Sequence, residues 1–322
     1  MNFLEASKDI EQIISCTEVR LTDDLKKAYQ DEPGTWEMFE KNDAQANIYK
    51  IRYRSQMHEV VGYIVEPKNI QNPLPCIVYN RGGSREFGMI KRGHLFGSIA
   101  EMANWGYIVI ASQYSGNDGG EGKDEFGGND IKDVENLYLI LEQYRNADTL
   151  RIGMYGGSRG GMMTYQMLTR VDWIKAAVTR AGTANIFRNQ RERPIGMKKT
   201  QEEMFGPSRE EKIKRSALYW PEKFPKDVPI LMMHGTADWR VNPLDSIDLS
   251  KKFLKLKIPH RLALFEGADH GITEFREETL RMTKDWFHKY VRDLASLPNM
   301  ELHGNGGEIG NRLHLILISY FL

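Results

Sequence analysis

The stretch Thr149-Leu150-Arg151-Ile152-Gly153-Met154-Tyr155-Gly156-Gly157-Ser158-Arg159-Gly160-Gly161-Met162-Met163-Thr164 decides the fold. Leu150 to Tyr155 is a short apolar run of strand composition. It runs directly into a glycine turn, and helix formers follow from Met162 to Leu168. Strand, sharp turn and helix are the context of a G-x-S-x-G nucleophile elbow, in which the serine hydroxyl projects above a sheet. Gly156 and Gly160 would let strand and helix approach closely. Read by itself, the pentapeptide also suits an ordinary glycine loop or a phosphate cradle.

Outward from this stretch, apolar runs alternate with amphipathic segments. Cys76–Tyr79, Tyr107–Ala111, Ile174–Val178, Val228–His234 and Arg261–Phe265 read as strands. Helical patterns cover Leu95–Trp105, Asp130–Tyr144, Leu244–Leu256 and Glu274–Leu294. Alternation of this kind predicts a mostly parallel central sheet with helices on both faces. The runs are continuously apolar, as strands buried on both sides require. Tyr49, Ile51 and Tyr53 alternate with Lys50, Arg52 and Arg54, and Val60–Ile64 follow, so Ala46–Glu66 reads as an antiparallel hairpin. Ile10, Ile13 and Ile14, then Leu21, Leu25 and Tyr29, recur at helical spacing and predict an N-terminal helical segment over 1–45. The catalytic domain is expected over 46–295. Within it, 185–227 is charged and carries Pro194, Pro207, Pro221 and Pro225, as a helical lid insertion or a solvated flap would. The tail 296–322 ends in an uncharged run, Leu313–Leu322, that suits an extra strand, an oligomer contact or a non-native extension.

Composition narrows the function. Of 322 residues, 41% are hydrophobic and 27% charged, and the net charge is zero, which gives no basic excess for nucleic acid. The two cysteines, Cys16 and Cys76, are too few for a disulfide framework and fit a reducing compartment. The first residues lack the basic and apolar regions of a signal peptide, and no apolar run reaches the ~20 residues of a membrane span. The expectation is a cytoplasmic protein that binds neither membrane nor nucleic acid.

A serine hydroxyl needs a base and an orienting carboxylate. On this fold the order is serine, acid, histidine, each just beyond the C-terminal end of a strand. Asp238 follows the strand Ile230–Met233, and His270 follows Leu262–Phe265. Singly, Asp238 could be a turn or capping residue and His270 a surface histidine. Asp269 competes for the acid role, but its adjacency to His270 makes the geometry awkward. Together with Ser158, the three give a triad: Ser158 nucleophile, Asp238 orienter, His270 base. The oxyanion donors would be the N–H of Arg159 and one from the loop Asn80-Arg81-Gly82-Gly83-Ser84, at Gly82 or Gly83. His and carboxylates do not cluster at ligand spacing, so neither metal nor cofactor is implied.

These motifs resemble the α/β-hydrolase superfamily and, within it, the catalytic domain of the prolyl oligopeptidase family. The resemblance rests on Gly156–Gly161, on His234-Gly235-Thr236-Ala237-Asp238-Trp239-Arg240-Val241-Asn242-Pro243, on Gly267–Gly271 and on the loop Tyr114–Asp133. It implies a serine hydrolase and an Arg240 that contacts a substrate carbonyl, a salt bridge to the lid being the other role open to it. Arg81 joins Arg240 as a candidate substrate-binding residue. Arg81-Gly82-Gly83 stands where the family has His-Gly-Gly, and the family's β-propeller has no counterpart in the short segment before the hairpin. The implied substrate is a short peptide, with a small acyl ester as the carboxylesterase alternative and a non-catalytic receptor as the remote one. Recognition of a free amino terminus would need an acidic pair, for which Glu121, Glu125 and Asp130 are candidates.

Overall fold

A computed structural model describes residues 2–301. Its nine strands are β1 (Ile13–Glu18), β2 (Ala46–Ser55), β3 (His58–Pro67), β4 (Leu74–Asn80), β5 (Ile108–Ser112), β6 (Ala147–Gly157), β7 (Ile174–Arg180), β8 (Ile230–Gly235) and β9 (His260–Phe265). They form one sheet in the order β1-β2-β3-β5-β4-β6-β7-β8-β9. From β5 to β9 every neighbouring pair is parallel. The pairs β1–β2, β2–β3 and β3–β5 are antiparallel. This is the α/β-hydrolase architecture expected from the sequence.

Side chains alternate across each strand, so a sheet covered on both faces needs apolar residues at every position. Ile108, Ile110, Met154, Ile230 and Met232 enter one core. Their strand neighbours Val109, Tyr155, Leu231 and Met233 enter the other. The helix Arg159–Leu168 covers the first face, and Ala100–Asn104 with Arg276–Phe287 covers the second.

The N-terminal expectation needs correction. Segment 1–45 contains the helices Asp23–Ala28 and Pro33–Gln45, but Ile13–Glu18 is the edge strand β1. Isoleucine spacing there matched a helix, but β-branched Ile13, Ile14 and Thr17 suit a strand, and the exposed edge of β2 supplies the partner. The insertion 185–227 forms the helices Ile186–Glu192, Ile195–Phe205 and Arg209–Lys214. Arg188 ties it to the helix Leu244–Leu256 through Asp245 (2.7 Å) and Asp248 (2.6 Å). Arg215, buried, ties it to the backbone carbonyls of Phe126 and Glu125 (both 2.8 Å). The reading of the tail falls on 302–322, outside the described residues, apart from its first six positions.

Candidate active site

Ser158 sits between the last residue of β6 and the first turn of its helix, with φ 57° and ψ −121°. A positive φ costs a non-glycine residue about 1–3 kcal/mol and persists only where the surroundings impose it. The surroundings here are backbone. A Cβ on Gly156 would lie 2.1 Å from the carbonyl oxygen of Gly160, and a Cβ on Gly160 would lie 2.0 Å from that of Asn80. The Ser158 N–H donates to the carbonyl of Arg180 (2.8 Å), and its own carbonyl accepts from Gly161 (3.0 Å) and Thr183 (3.2 Å). The elbow is therefore fixed from both sides.

Strand register brings the acid and base to the same rim. Gly157 lies opposite Arg180, which lies opposite Met233, and Gly235 lies opposite Phe265. With strands ~4.8 Å apart, the ends of β6 and β8 are separated by roughly 10 Å. The loops then curl together, with Thr236 N–H on the Phe265 carbonyl (2.9 Å) and Ala237 N–H on that of Ala268 (3.0 Å).

His270 Nδ1 donates to Asp238 Oδ2 at 2.7 Å, which leaves Nε2 for proton exchange. The other oxygen, Oδ1, accepts the N–H groups of Arg240 (2.8 Å) and Val241 (3.0 Å). Burial by itself would raise the Asp238 pKa. Hydrogen bonds from His234 and His270, the charge of His270 and the Val241 N–H outweigh it and hold the carboxyl well below the usual range. His270 is thus bonded to Asp238, and no hydrogen bond joins it to Ser158 Oγ. Catalytic hydrogen bonds are often long without substrate. Asp269 is not the orienter; its carboxylate accepts the N–H of Gly271 (2.7 Å).

Sequence reasoning missed His234. It is fully buried, with Nε2 3.1 Å from Asp238 Oδ2 and 2.9 Å from the Val241 carbonyl, and Nδ1 2.7 Å from Ser246 Oγ. Two acceptors at Nε2 place the proton there, and Ser246 donates to Nδ1. His234 thus helps to fix Asp238 through Oδ2, the same oxygen that His270 contacts. Its place four residues before the acid was the available signal.

The oxyanion side is held by the Arg159 side chain. Its guanidinium, 1% exposed, pairs with Asp124 (2.7 Å) and Asp130 (2.6 Å) and donates to the Gly83 carbonyl (3.1 Å). It also lies over the rings of Tyr114 (4.7 Å) and Phe126 (4.8 Å). The Arg159 N–H is at the first helical position, where no intrahelical acceptor exists. Gly82 is packed on the nucleophile: a Cβ there would lie 3.4 Å from Ser158 Cβ. Among the described residues, no backbone carbonyl takes the N–H of Arg159, Gly82 or Gly83.

Two expectations fail on this side. Arg81 cannot bind substrate with its side chain, which is 2% exposed and spent on the carbonyls of Gln113 (3.0 Å), Gly82 (3.1 Å) and Arg85 (3.2 Å). It holds the oxyanion loop from within. Asp130 is not an amine acceptor, being buried on Arg159 and on the N–H groups of Gly127 and Gly128. Burial first, then Asp124 and Asp133 against the pull of Arg159, raise its pKa to about 6. Glu121 and Glu125 accept backbone N–H groups, from Glu59 of β3 (3.0 Å) and Asn129 (2.8 Å). Arg240 remains open. Its guanidinium lies over Trp239 (5.2 Å) and Phe87 (5.9 Å) and makes no ion pair among the described residues, so the lid salt bridge is not formed.

Residues 94–293 match the prolyl oligopeptidase family. The chain belongs to this family. It is 29% identical over 228 residues to the uncharacterized peptidase YtmA of Bacillus subtilis (strain 168), covering 69% of this chain and 85% of that one. It is 27% identical to YitV of the same organism, whose name assigns it provisionally to the esterases, over 71% of this chain and 94% of YitV. The acylamino-acid-releasing enzyme of Mus musculus is 23% identical over 71% of this chain, but only 33% of the mouse protein is covered. Among solved structures, Pyrococcus horikoshii acylaminoacyl peptidase superposes with a TM-score of 0.66 at 22% identity, over 77% of this chain and 42% of its own. A puromycin-hydrolyzing peptidase of Mycobacterium tuberculosis gives 0.64 at 21%, over 72% and 37%. These structures share the fold. Family and elbow together make the chain a serine hydrolase. No helix among the described residues is long and apolar enough to cross a membrane, and no group of three or more His, Cys, Asp or Glu among them could hold a metal.

Proposed function

We propose that the protein is a serine peptidase acting on short peptides through an acyl-enzyme. The observation that carries this reading is the 2.7 Å contact of His270 with a buried, doubly braced Asp238 at the rim that bears the strained Ser158. In the proposed cycle, His270 Nε2 takes the Ser158 proton as Oγ attacks the scissile carbonyl. The N–H groups of Arg159 and of Gly82 or Gly83 receive the oxyanion. His270 then protonates the leaving amine, and water repeats the sequence on the ester of Ser158. Arg240, with its donors unengaged, suits a substrate carbonyl. Cys16 and Cys76 are both free, in keeping with a reducing, cytoplasmic setting.

A carboxylesterase is the second reading, favoured by the match over nearly all of YitV. Both readings need the same triad. The test measures hydrolysis of an N-acyl-aminoacyl anilide and of a short-chain acyl ester by one preparation, with Ser158→Ala as the blank. Peptidase action gives anilide turnover that disappears in the blank. Ester turnover with no anilide turnover assigns the esterase. A folded protein that turns over neither, and whose Ser158 a fluorophosphonate does not label, ends both readings.

A further inference from the structure

A cavity of about 480 Å³ adjoins the loop that carries His270. Its floor is the C-terminal ends of β4, β6, β7 and β8 (Tyr79, Tyr155, Arg180 and Met233), and its far wall is the helix Arg276–Phe287. None of the triad residues lines it, although Gly271 and Ile272 do. The volume is that of a small-molecule site, and the mixed lining is typical of one.

Its charge is one-sided. Lys91, Arg180 and Arg276 line it, and no Asp or Glu does among the described residues. Arg276 is answered outside the cavity by Glu101 (2.9 Å). Arg180 is not answered. This half-buried guanidinium makes no hydrogen bond and no ion pair among the described residues. Tyr155 and then Tyr79 act on it electrostatically, and the carboxylate of Asp269 more weakly, from beyond ion-pair distance. The contrast with the buried Arg81, Arg159 and Arg215, each spent on several oxygens, is sharp. Its planar fork, left without a protein acceptor and lining the cavity, matches a carboxylate. Next to it, Tyr79 and Tyr155 stack at 5.2 Å, and Met102, Met233 and Leu280 supply an apolar wall.

We propose that this cavity binds a small organic carboxylate with an aromatic or branched apolar body. The carboxylate lies on Arg180, Lys91 at the rim adds long-range attraction, and the body rests on the tyrosine pair and the methionines.

The test is calorimetric titration of 3-phenylpropionate, with 3-phenylpropanamide as the neutral isostere. It uses the whole chain as wild type, Arg180→Gln, Arg240→Gln and Leu280→Trp. Wild type should bind the acid at least about tenfold more tightly than the amide, as a charge-assisted contact predicts. Arg180→Gln should lose that tenfold preference, and Leu280→Trp, which fills the cavity from the helix side, should lose binding of both probes. Arg240→Gln, at the catalytic mouth, should bind as wild type does. Equal binding of acid and amide, an unaffected Arg180→Gln, or a loss confined to Arg240→Gln would overturn the proposal. Binding is read without turnover, so the outcome does not depend on the peptidase reading. Should Arg180→Gln not fold, Leu280→Trp decides.

Discussion

The two halves of the candidate active site are built differently. On the oxyanion side, the Arg159 guanidinium is enclosed, neutralised by Asp124 and Asp130, and bonded to Gly83, so loops 81–88 and 116–130 form one block around the elbow. On the His270 side, Asp238 is buried and braced by His234, but His270 keeps 15% of its side chain exposed and makes no hydrogen bond to Ser158. The difference follows from what each must do. An oxyanion hole works by being in place beforehand, whereas a base has to exchange protons with substrate and with water. One side is held by charge pairs, the other by hydrogen bonds with a free end.

The largest effect should come from the relay. In Asp238→Asn the amide would keep its oxygen on the Arg240 and Val241 N–H groups and turn its NH2 toward the two imidazoles. His270 would then lose the acceptor that fixes its tautomer, and kcat should fall by about 10⁴-fold with the fold intact. Steady-state kinetics with circular dichroism checks this. A fall of less than about tenfold would mean that Asp238 does not orient His270.

The oxyanion side should instead fail in stability. Arg159→Met leaves two buried carboxylates without a cation, at a cost of about 3–5 kcal/mol. Arg159→Lys should recover little, because an ammonium cannot meet both carboxylates and the Gly83 carbonyl in one plane. Urea unfolding of the three proteins gives the comparison. A change under about 1 kcal/mol would show that the block is not held by this cation.

How much of this was legible follows the same division. The places of Ser158, Asp238 and His270 could be read because each stands at the end of an apolar strand, with turn residues around it. Of the expected contacts between them, the structure shows the one between His270 and Asp238. The side chain of Arg159 could not be read, because Asp124 and Asp130 lie 35 and 29 positions away in a glycine loop whose course depends on the pairing itself. Arg81 misled for a related reason. Its acceptors are carbonyls, which leave no trace in residue type. At β1, helical spacing of isoleucines was overruled by the open edge of β2, which is tertiary context.

His234 sharpens the contrast on a smaller scale. Removing it as His234→Leu takes away one bond to Asp238 and leaves Ser246 facing an apolar group. A hydrogen bond to a charged group is worth about 1.5–3 kcal/mol, so kcat should drop by roughly 10- to 100-fold while KM holds. His234→Gln, which can still donate to Asp238, should recover part of the loss. If KM rises and kcat does not change, His234 shapes the substrate cleft and does not position the acid.

The smallest effect separates the halves by pH. Asp238 has a folded-state pKa held below its unfolded value of about 3.9, so the folded state binds fewer protons there. Its contribution is complete above about pH 4 and is lost as pH falls through the depressed value. Asp130 has the opposite sign. With a folded pKa of about 6, it favours the folded state more at low pH and loses that contribution as pH rises from about 4 past 6. Unfolding free energies measured from pH 3 to 7 should therefore show two trends. The gap between wild type and Asp238→Asn, on the order of 1–2 kcal/mol at neutral pH, should narrow toward pH 3. For Asp130→Asn, which cannot ionise, stability relative to wild type should improve as pH rises through 6. Parallel curves for wild type and both variants would mean that neither carboxylate is perturbed, and the contrast drawn between the two halves would lose its electrostatic basis.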